Sequence, residues 1–500
     1  MSSVKRIISG TISGIVRNFI NLIIIIISLP IYLKFWDVEL YGIWVLIFSI
    51  VGFLKLPIFT YQEYLQYEFL KIGKSNRFKF SKLIYGSIFL TSIIFSFILL
   101  FSIIIFEFSF IMKFLNIDQK YFNIIQISIF FILGSEVIAY IVGVYTRALY
   151  PFNYYPKIHW IGSLIIIAIP VFQIISLYYG FKIIELSIIT FVSTNLINFI
   201  FLIYLAKMLK KENIKYKGLF IKHNINHFIN SFYLLFGNLI TLLKNEGSRL
   251  IMVPFVGAIQ LAAFVAMKTA NNILKQLFNS FTNSLLIEFS AYINKKDKKK
   301  FIKSYIFLTS ILSIVIIPLA FFFQIIISDL FLLWTRGKMQ FDNILFASMT
   351  IAFLIMIFYQ PAYLVVKSRN MFFEEMKISI INSIIFIILF IIFIQKYSIR
   401  GAGYSLIATE IIACIYFFFY ANKWLEKKFI KFDKKILSYC FLDLIVSSTL
   451  IMIIAKGSDN YLLIISIFSL YKIFFGYLLF KTIFNKKYLN FFKKQNAKVN

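Results

Sequence analysis

Ile88-Phe89-Leu90-Thr91-Ser92-Ile93 recurs letter for letter as Ile306-Phe307-Leu308-Thr309-Ser310-Ile311, 218 positions later. Phe19-Ile20-Asn21-Leu22-Ile23 returns as Phe236-Gly237-Asn238-Leu239-Ile240 at an offset of 217, and Leu54-Lys55 as Leu274-Lys275 at 220. Phe152, Lys157-Ile158 and Ser163 return as Phe372, Lys377-Ile378 and Ser383, also at 220. Four matches in one order at nearly one offset describe two copies of one unit. That unit is too long for a solenoid repeat, whose period is about 20–50 residues.

The two copies belong to a membrane. Of the 500 residues, 60% are hydrophobic and 15% charged, and mean hydropathy is +0.85. Soluble domains are about 45–50% apolar and about 25% charged. Apolar stretches near the ~20 residues that cross a bilayer recur along the whole chain. Helices are the expected spanning element, because each backbone group must find a partner within its own segment. Runs such as Ile23–Ile27 exclude the alternation of a transmembrane barrel. The pattern predicts fourteen spans: 14–36, 40–59, 83–106, 121–145, 158–179, 183–206, 228–252, 257–287, 303–328, 343–365, 378–395, 400–422, 436–455 and 460–480. The expected fold class is therefore all-α integral membrane, with two parallel six-helix repeats plus two C-terminal helices. In residues, this gives an N-terminal lobe 1–206, a cytoplasmic linker 207–227, a C-terminal lobe 228–422, two extra helices over 436–480 and a basic cytoplasmic tail 481–500. Six crossings return the chain to the same side, so the copies are parallel and not inverted; a half-length repeat of this kind points to a transporter built from two bundles.

Charge tests this topology. With Met1 inside, the inside segments carry 37 of the 52 Lys and Arg residues and the outside segments carry 9. That alternation is the positive-inside pattern, and it places both termini in the cytoplasm. It also accounts for most of the net charge of +31 as a solvated face against anionic lipid. The basic residues are scattered over short loops, so nucleic acid is not an expected partner. Lys5 and Arg6 precede an apolar run with no small-residue cleavage site, so no targeting peptide is expected to be removed. Cys414 and Cys440 sit in or beside spans and suggest no disulfide framework.

Leu29-Pro30-Ile31-Tyr32-Leu33 followed by Glu39-Leu40-Tyr41-Gly42-Ile43-Trp44 resembles the first helical pair of the polysaccharide (O-antigen/capsule-type) flippases. That family is grouped with multidrug and lipid II exporters in the multidrug/oligosaccharidyl-lipid/polysaccharide exporter superfamily. Arg147-Ala148-Leu149, Leu333-Trp334 and Gly401-Ala402-Gly403 add weaker matches. Where relatives often carry an Asp-rich or Gly-rich end to span 2, this chain has Lys55-Leu56-Pro57. The resemblance implies that spans 1, 2, 7 and 8 line a central cavity. It also implies a bacterial cytoplasmic (inner) membrane location.

Ionisable residues inside spans are the candidates for function, because each costs roughly 2.5–3.5 kcal/mol at the centre of an inserted helix. Arg17, Lys55, Arg249, Lys268 and Lys275 fall on spans 1, 2, 7 and 8 and read as a cationic substrate site. Arg17 and Lys55 also fit cations that snorkel to the interface, and Arg249 also fits a self-neutralising pair with Glu246. Glu136 and Glu410 lie near mid-membrane, either as carboxylates coupling to a proton or sodium ion or as structural hydrogen-bonded acids. Asp443 and Lys472 read as a structural pair between spans 13 and 14. No nucleotide loop, zinc-spaced set or nucleophile elbow is present. His223 and His227 have metal-compatible spacing but stand alone, so no metal or cofactor is expected.

These readings favour a flippase for a polyprenyl-pyrophosphate-linked oligosaccharide in O-antigen, lipopolysaccharide or capsule biosynthesis, working by alternating access. The expected partners are that lipid-linked oligosaccharide, membrane lipids and other polysaccharide-assembly proteins, with the chain itself a monomer. A multidrug or cation extruder of the same fold is the alternative, although cationic cargo favours an acidic site. A membrane-bound polysaccharide polymerase is a further alternative, which the lack of a sizeable outer loop or enzyme motif disfavours.

Overall fold

The computed structural model describes residues 3–73, 76–107, 117–214, 218, 221–294, 298–368, 372–427, 434–457 and 461–483. The basic tail beyond Ile483, much of the loop over 107–120, part of the linker 207–227 and the His223 side chain lie outside the described residues. Each predicted span falls on helix: α1 (Ser3–Phe35), α2 (Val38–Leu54), α3 (Leu56–Ile72), α4 (Arg77–Glu107), α5 (Phe122–Gly134), α6 (Val137–Leu149), α7 (Tyr155–Tyr178), α8 (Ile183–Lys211), α9 (Ile221–Leu242), α10 (Ser248–Asn294), α11 (Lys298–Ile311), α12 (Ile317–Trp334), α13 (Asn343–Ser368), α14 (Phe372–Tyr397), α15 (Ile399–Lys427), α16 (Lys434–Ala455) and α17 (Tyr461–Ile483).

Among the described residues, 11 helices are long and apolar enough to cross a membrane, or 12 with the bent pair α2–α3. The count differs from fourteen at spans 1 and 7. The described apolar part of α1 is the shorter helix Phe19–Phe35, and α9 carries Asn224, His227 and Asn230 among its apolar residues. Gly257 divides α10 in two, because its φ of 76° and ψ of 174° are non-helical. A residue with a Cβ is strained there, so this glycine makes the turn between predicted spans 7 and 8.

The outer surface is apolar. Phe97, Leu100, Leu164, Leu462 and Ile473 are all well exposed, as hydrocarbon-facing side chains must be when lipid is the solvent. The repeat also appears in burial. Leu90 and Leu308 are buried, as are Thr91 and Thr309, whereas Phe89 and Phe307 face outward. The hexapeptide thus presents one face to the interior in both copies.

The helices form two compact units. The first comprises residues 1–263 with 334–339, and the second comprises 264–333 with 340–500. Residues 228–263, which the repeat assigns to the start of the C-terminal lobe, therefore pack within the first unit. Asn238 shows how: its amide donates to Glu63 at 2.8 Å and to Thr60 at 3.3 Å, tying α9 to α3. Gly42 on α2 lies against the backbone of Ala258, so closely that a Cβ there would collide with the Ala258 carbonyl. The glycine of the Tyr41-Gly42 motif is thus required by close packing.

In the second unit, α13 is the inner helix, with 89% of its apolar window buried. The two extra helices are fastened by charge. Lys472 Nζ donates to both carboxylate oxygens of Asp443, at 2.7 and 2.8 Å, and to the Ser313 carbonyl at 3.2 Å. Tyr471 Oη donates to Asp443 at 3.0 Å. Ser313 lies in a π-turn, Leu312–Ile316, between α11 and α12. Phe321 and Phe468 stack beside it with centroids 3.6 Å apart. Asp443 is fully buried, and a buried charge that loses its partner costs about 3–5 kcal/mol. Lys472→Met is expected to destabilise the detergent-solubilised protein by that order and so to lower its thermal midpoint. Lys472→Met with Asp443→Leu is expected to recover most of the loss, as read by a scanning unfolding assay.

Candidate functional site

Two breaks between helices of the first unit and one hydrogen bond missing within a helix position its polar groups. At the first, α2 ends and α3 begins at Lys55, with a bend of 51°. Pro57 supplies the cause: it stands in the first turn of α3 and has no N–H for the carbonyl four residues back. That carbonyl, Phe53, instead receives the N–H of Lys55, which is shared with Val51.

The second break separates α5 from α6 at Ser135 and Glu136. Its loose ends are satisfied by one residue from α8. Asn195 Nδ2 donates to the Gly134 carbonyl at 3.1 Å, and its Oδ1 accepts from the Ile138 N–H at 3.4 Å. A side-chain amide, with both a donor and an acceptor, fits a broken helix whose two ends present one of each. Lys55 and Glu136, one at each break, meet at 3.1 Å.

The third place is within α1, a continuous helix that lacks one hydrogen bond. Pro30 leaves the Ile26 carbonyl, four residues earlier, without its helical donor. Trp334 Nε1 donates to that carbonyl at 2.6 Å, and Lys338 Nζ donates to the Trp36 carbonyl at 3.1 Å. The Leu29-Pro30 and Leu333-Trp334 motifs, distant in sequence, are thus two halves of one contact.

The other sequence-predicted residues fall as follows. Glu246 sits in a π-turn, Leu243–Gly247, and accepts from Arg249 at 2.6 Å and from Ser49 at 2.9 Å. The Arg249 charge is thus engaged on its own helix. Arg17 lies within electrostatic reach of Tyr150 and His159, where the Tyr155 and His159 rings stand 4.1 Å apart. Lys268 and Lys275 belong to the second unit and are half-buried; Lys268 Nζ lies 5.7 Å from the centroid of the Phe264 ring. Glu410, also in the second unit, is buried and accepts from Tyr359 Oη at 2.7 Å. The structure therefore joins Lys55 to Glu136 directly, and holds Arg249 and Glu410 on other partners.

Sequence reasoning missed Asn195, Ser49, Gln62 and Tyr140. Gln62 accepts from Arg147 at 2.9 Å and donates to the Tyr140 carbonyl at 2.9 Å. Only Pro30 and Pro57 gave a local signal, by marking where a carbonyl would need a new donor.

The fold occurs in solved proteins. The chain has the fold of the lipid II flippase MurJ. Against MurJ in an inward closed conformation, the TM-score is 0.66 at 16% identity, covering 94% of this chain and 98% of that one. An inward-facing multidrug resistance MATE transporter of the MOP superfamily gives 0.65 at 11% identity, covering 82% and 95%. A point mutant of the Vibrio cholerae MATE transporter VcmN gives 0.53 at 14%, covering 84% and 95%. No sequence-family model matches the chain, and no curated protein does. The MurJ-like fold is shared over nearly the whole length.

Asn195 offers a direct test of the second break. Replacing it with Leu leaves the Gly134 carbonyl and the Ile138 N–H without these partners, at a cost of about 1–3 kcal/mol. Asn195→Leu is expected to lower the unfolding midpoint and to raise hydrogen exchange at 134–138, with exchange in α13 unchanged.

Proposed function

We propose that this protein is a flippase that moves a polyprenyl-pyrophosphate-linked oligosaccharide across the bacterial cytoplasmic membrane for O-antigen or capsule biosynthesis. One observation carries the reading: the ionisable groups within its apolar helices are mainly cations, with Arg17, Lys55 and Arg249 in the first unit and Lys268 and Lys275 in the second. A pyrophosphate offers clustered negative charge, and Lys and Arg attract it more strongly in a low-dielectric cleft than in water. The likeness to MurJ over 94% of the chain supports the class of activity. The mechanism is alternating access, in which the head group is exposed to one side of the membrane and then the other while the lipid tail stays in the bilayer. In this reading both termini are cytoplasmic, and Glu136 and Glu410 are the places for a coupling proton or sodium ion.

A multidrug or cation extruder is the second reading. It is favoured by the likeness to the MATE transporters and by the carboxylates Glu136 and Glu246 within spans. The two readings differ in the sign of the cargo. Lys268→Gln with Lys275→Gln is expected to reduce outer-leaflet delivery of the lipid-linked glycan about tenfold, the effect of about 1.4 kcal/mol lost from head-group binding. Export of a cationic dye by the same variant is expected to stay at background. Normal glycan delivery at normal expression would overturn the cationic-site reading, and dye export above background would favour the extruder.

A further inference from the structure

Lys55 reads as a head-group cation and Glu136 as an ion-coupling acid, yet the two side chains touch at 3.1 Å. Each stands at a break in its span and not within a continuous helix. Neither is sealed away: the Lys55 side chain is 39% exposed and that of Glu136 is 26% exposed. One turn beyond Glu136, the Tyr140 hydroxyl is buried and has no hydrogen-bond partner, on a residue only 7% exposed. Glu136 acts on it electrostatically. From the neighbouring elements, α4 presents Phe95 and Ile98, and α8 presents Asn195, which is committed to backbone. Of the titratable groups, Lys55 pairs with Glu136 directly and Tyr140 lies within its electrostatic reach.

We propose that Glu136 is a built-in competitor for Lys55. The head-group pyrophosphate displaces the Glu136 carboxylate from Lys55 Nζ, and the displaced carboxylate accepts a hydrogen bond from Tyr140 Oη. When the head group leaves, Glu136 returns to Lys55. The proposal rests on the reading that Lys55 serves an anionic head group. Its physical basis is that a carrier must release what it binds. A lysine left bare in an apolar medium is costly, and one that meets phosphate without a rival binds too firmly for turnover. A tethered carboxylate answers both needs, because Lys55 always has an anion beside it and the cargo must exceed that anion's hold. Tyr140 supplies the second seat, a donor with no other partner in this conformation.

The test is equilibrium binding of a water-soluble short-chain isoprenyl pyrophosphate sugar to the full chain in nanodiscs. Glu136→Gln is expected to bind roughly threefold to tenfold more tightly than the parent. Tyr140→Phe is expected to bind about threefold more weakly, because the displaced carboxylate loses its donor. In the Glu136→Gln background, Tyr140→Phe is expected to have no effect, which a merely structural tyrosine would not show. Glu136→Gln binding as the parent does, or more weakly, overturns the proposal while Lys55→Gln still loses affinity. If Lys55→Gln binds as the parent does, the role of Lys55 itself fails and the proposal with it. Thermal unfolding confirms that each variant is folded. Glu136→Ala stands in if Glu136→Gln does not fold, and if neither folds, Tyr140→Phe binding as the parent does overturns the proposal.

Discussion

A backbone N–H or C=O in hydrocarbon must have a partner, and no water is there to provide one. The rest of this structure depends on that constraint. A regular helix meets it without help, but a helix broken or interrupted by proline does not, and the first unit contains both. In three places the missing partner comes from elsewhere. Asn195 bridges the two ends at 134–138, Trp334 serves the Ile26 carbonyl that Pro30 leaves open, and Lys55 turns its own N–H back on Val51 and Phe53. These contacts fix which helices must be neighbours. The packing of α5 and α6 on α8, and the docking of residues 334–339 on α1, follow from them.

Charge obeys the same rule with larger energies. Three of the ion pairs that involve span residues differ in access. Asp443 has no exposed side-chain surface and Lys472 has 12%, and a tyrosine and a backbone carbonyl complete their shell. That pair joins helices and is closed to solutes. Glu246 and Arg249 are each 22% exposed and share one helix, so their contact joins no two helices, although Ser49 adds a link to α2. Lys55 and Glu136 are the most open of the three and are carried on two breaks. Stability is best served by the first kind of pair. A pair that must part and reform during a cycle has to be of the last kind, where water or cargo can replace either partner.

The architecture was legible in the sequence because it depends on periodic or repeated features. The hexapeptide set the register, and the burial of Leu90 with Leu308 and Thr91 with Thr309 shows why the residues recur: both copies face the interior in the same way. Asp443 and Lys472 could be paired from sequence, because the two helices that hold them adjoin across a short turn. The contacts of the breaks were not legible. Lys55 and Glu136 are 81 residues apart, and nothing local in either segment names the other. Asn195 looks like any polar residue in an apolar run until the two ends it caps are in place. The prolines were the exception, since each marks a carbonyl that needs a donor without saying which donor it will be.

The duplication also misled in one respect, and the physical reason bears on function. Lys55 and Lys275 are equivalent by repeat, which suggests charges presented symmetrically. Yet Lys55 is at a bend of 51°, whereas α10 runs on through Lys275 without a second break after Gly257. The residue equivalent to Glu136 at the same offset of 220 is Met356, on the continuous and largely buried α13. Conversely, the equivalent of Glu410 is Thr190, which accepts from Gln173 at 3.0 Å. Burial of apolar faces tolerates duplication, because two copies need the same packing. Intramembrane charge tolerates it less readily, because every added ion requires its own partner and its own path to water. The copies therefore keep a common core, while the carboxylates Glu136 and Glu410 have no acidic counterpart in the other copy.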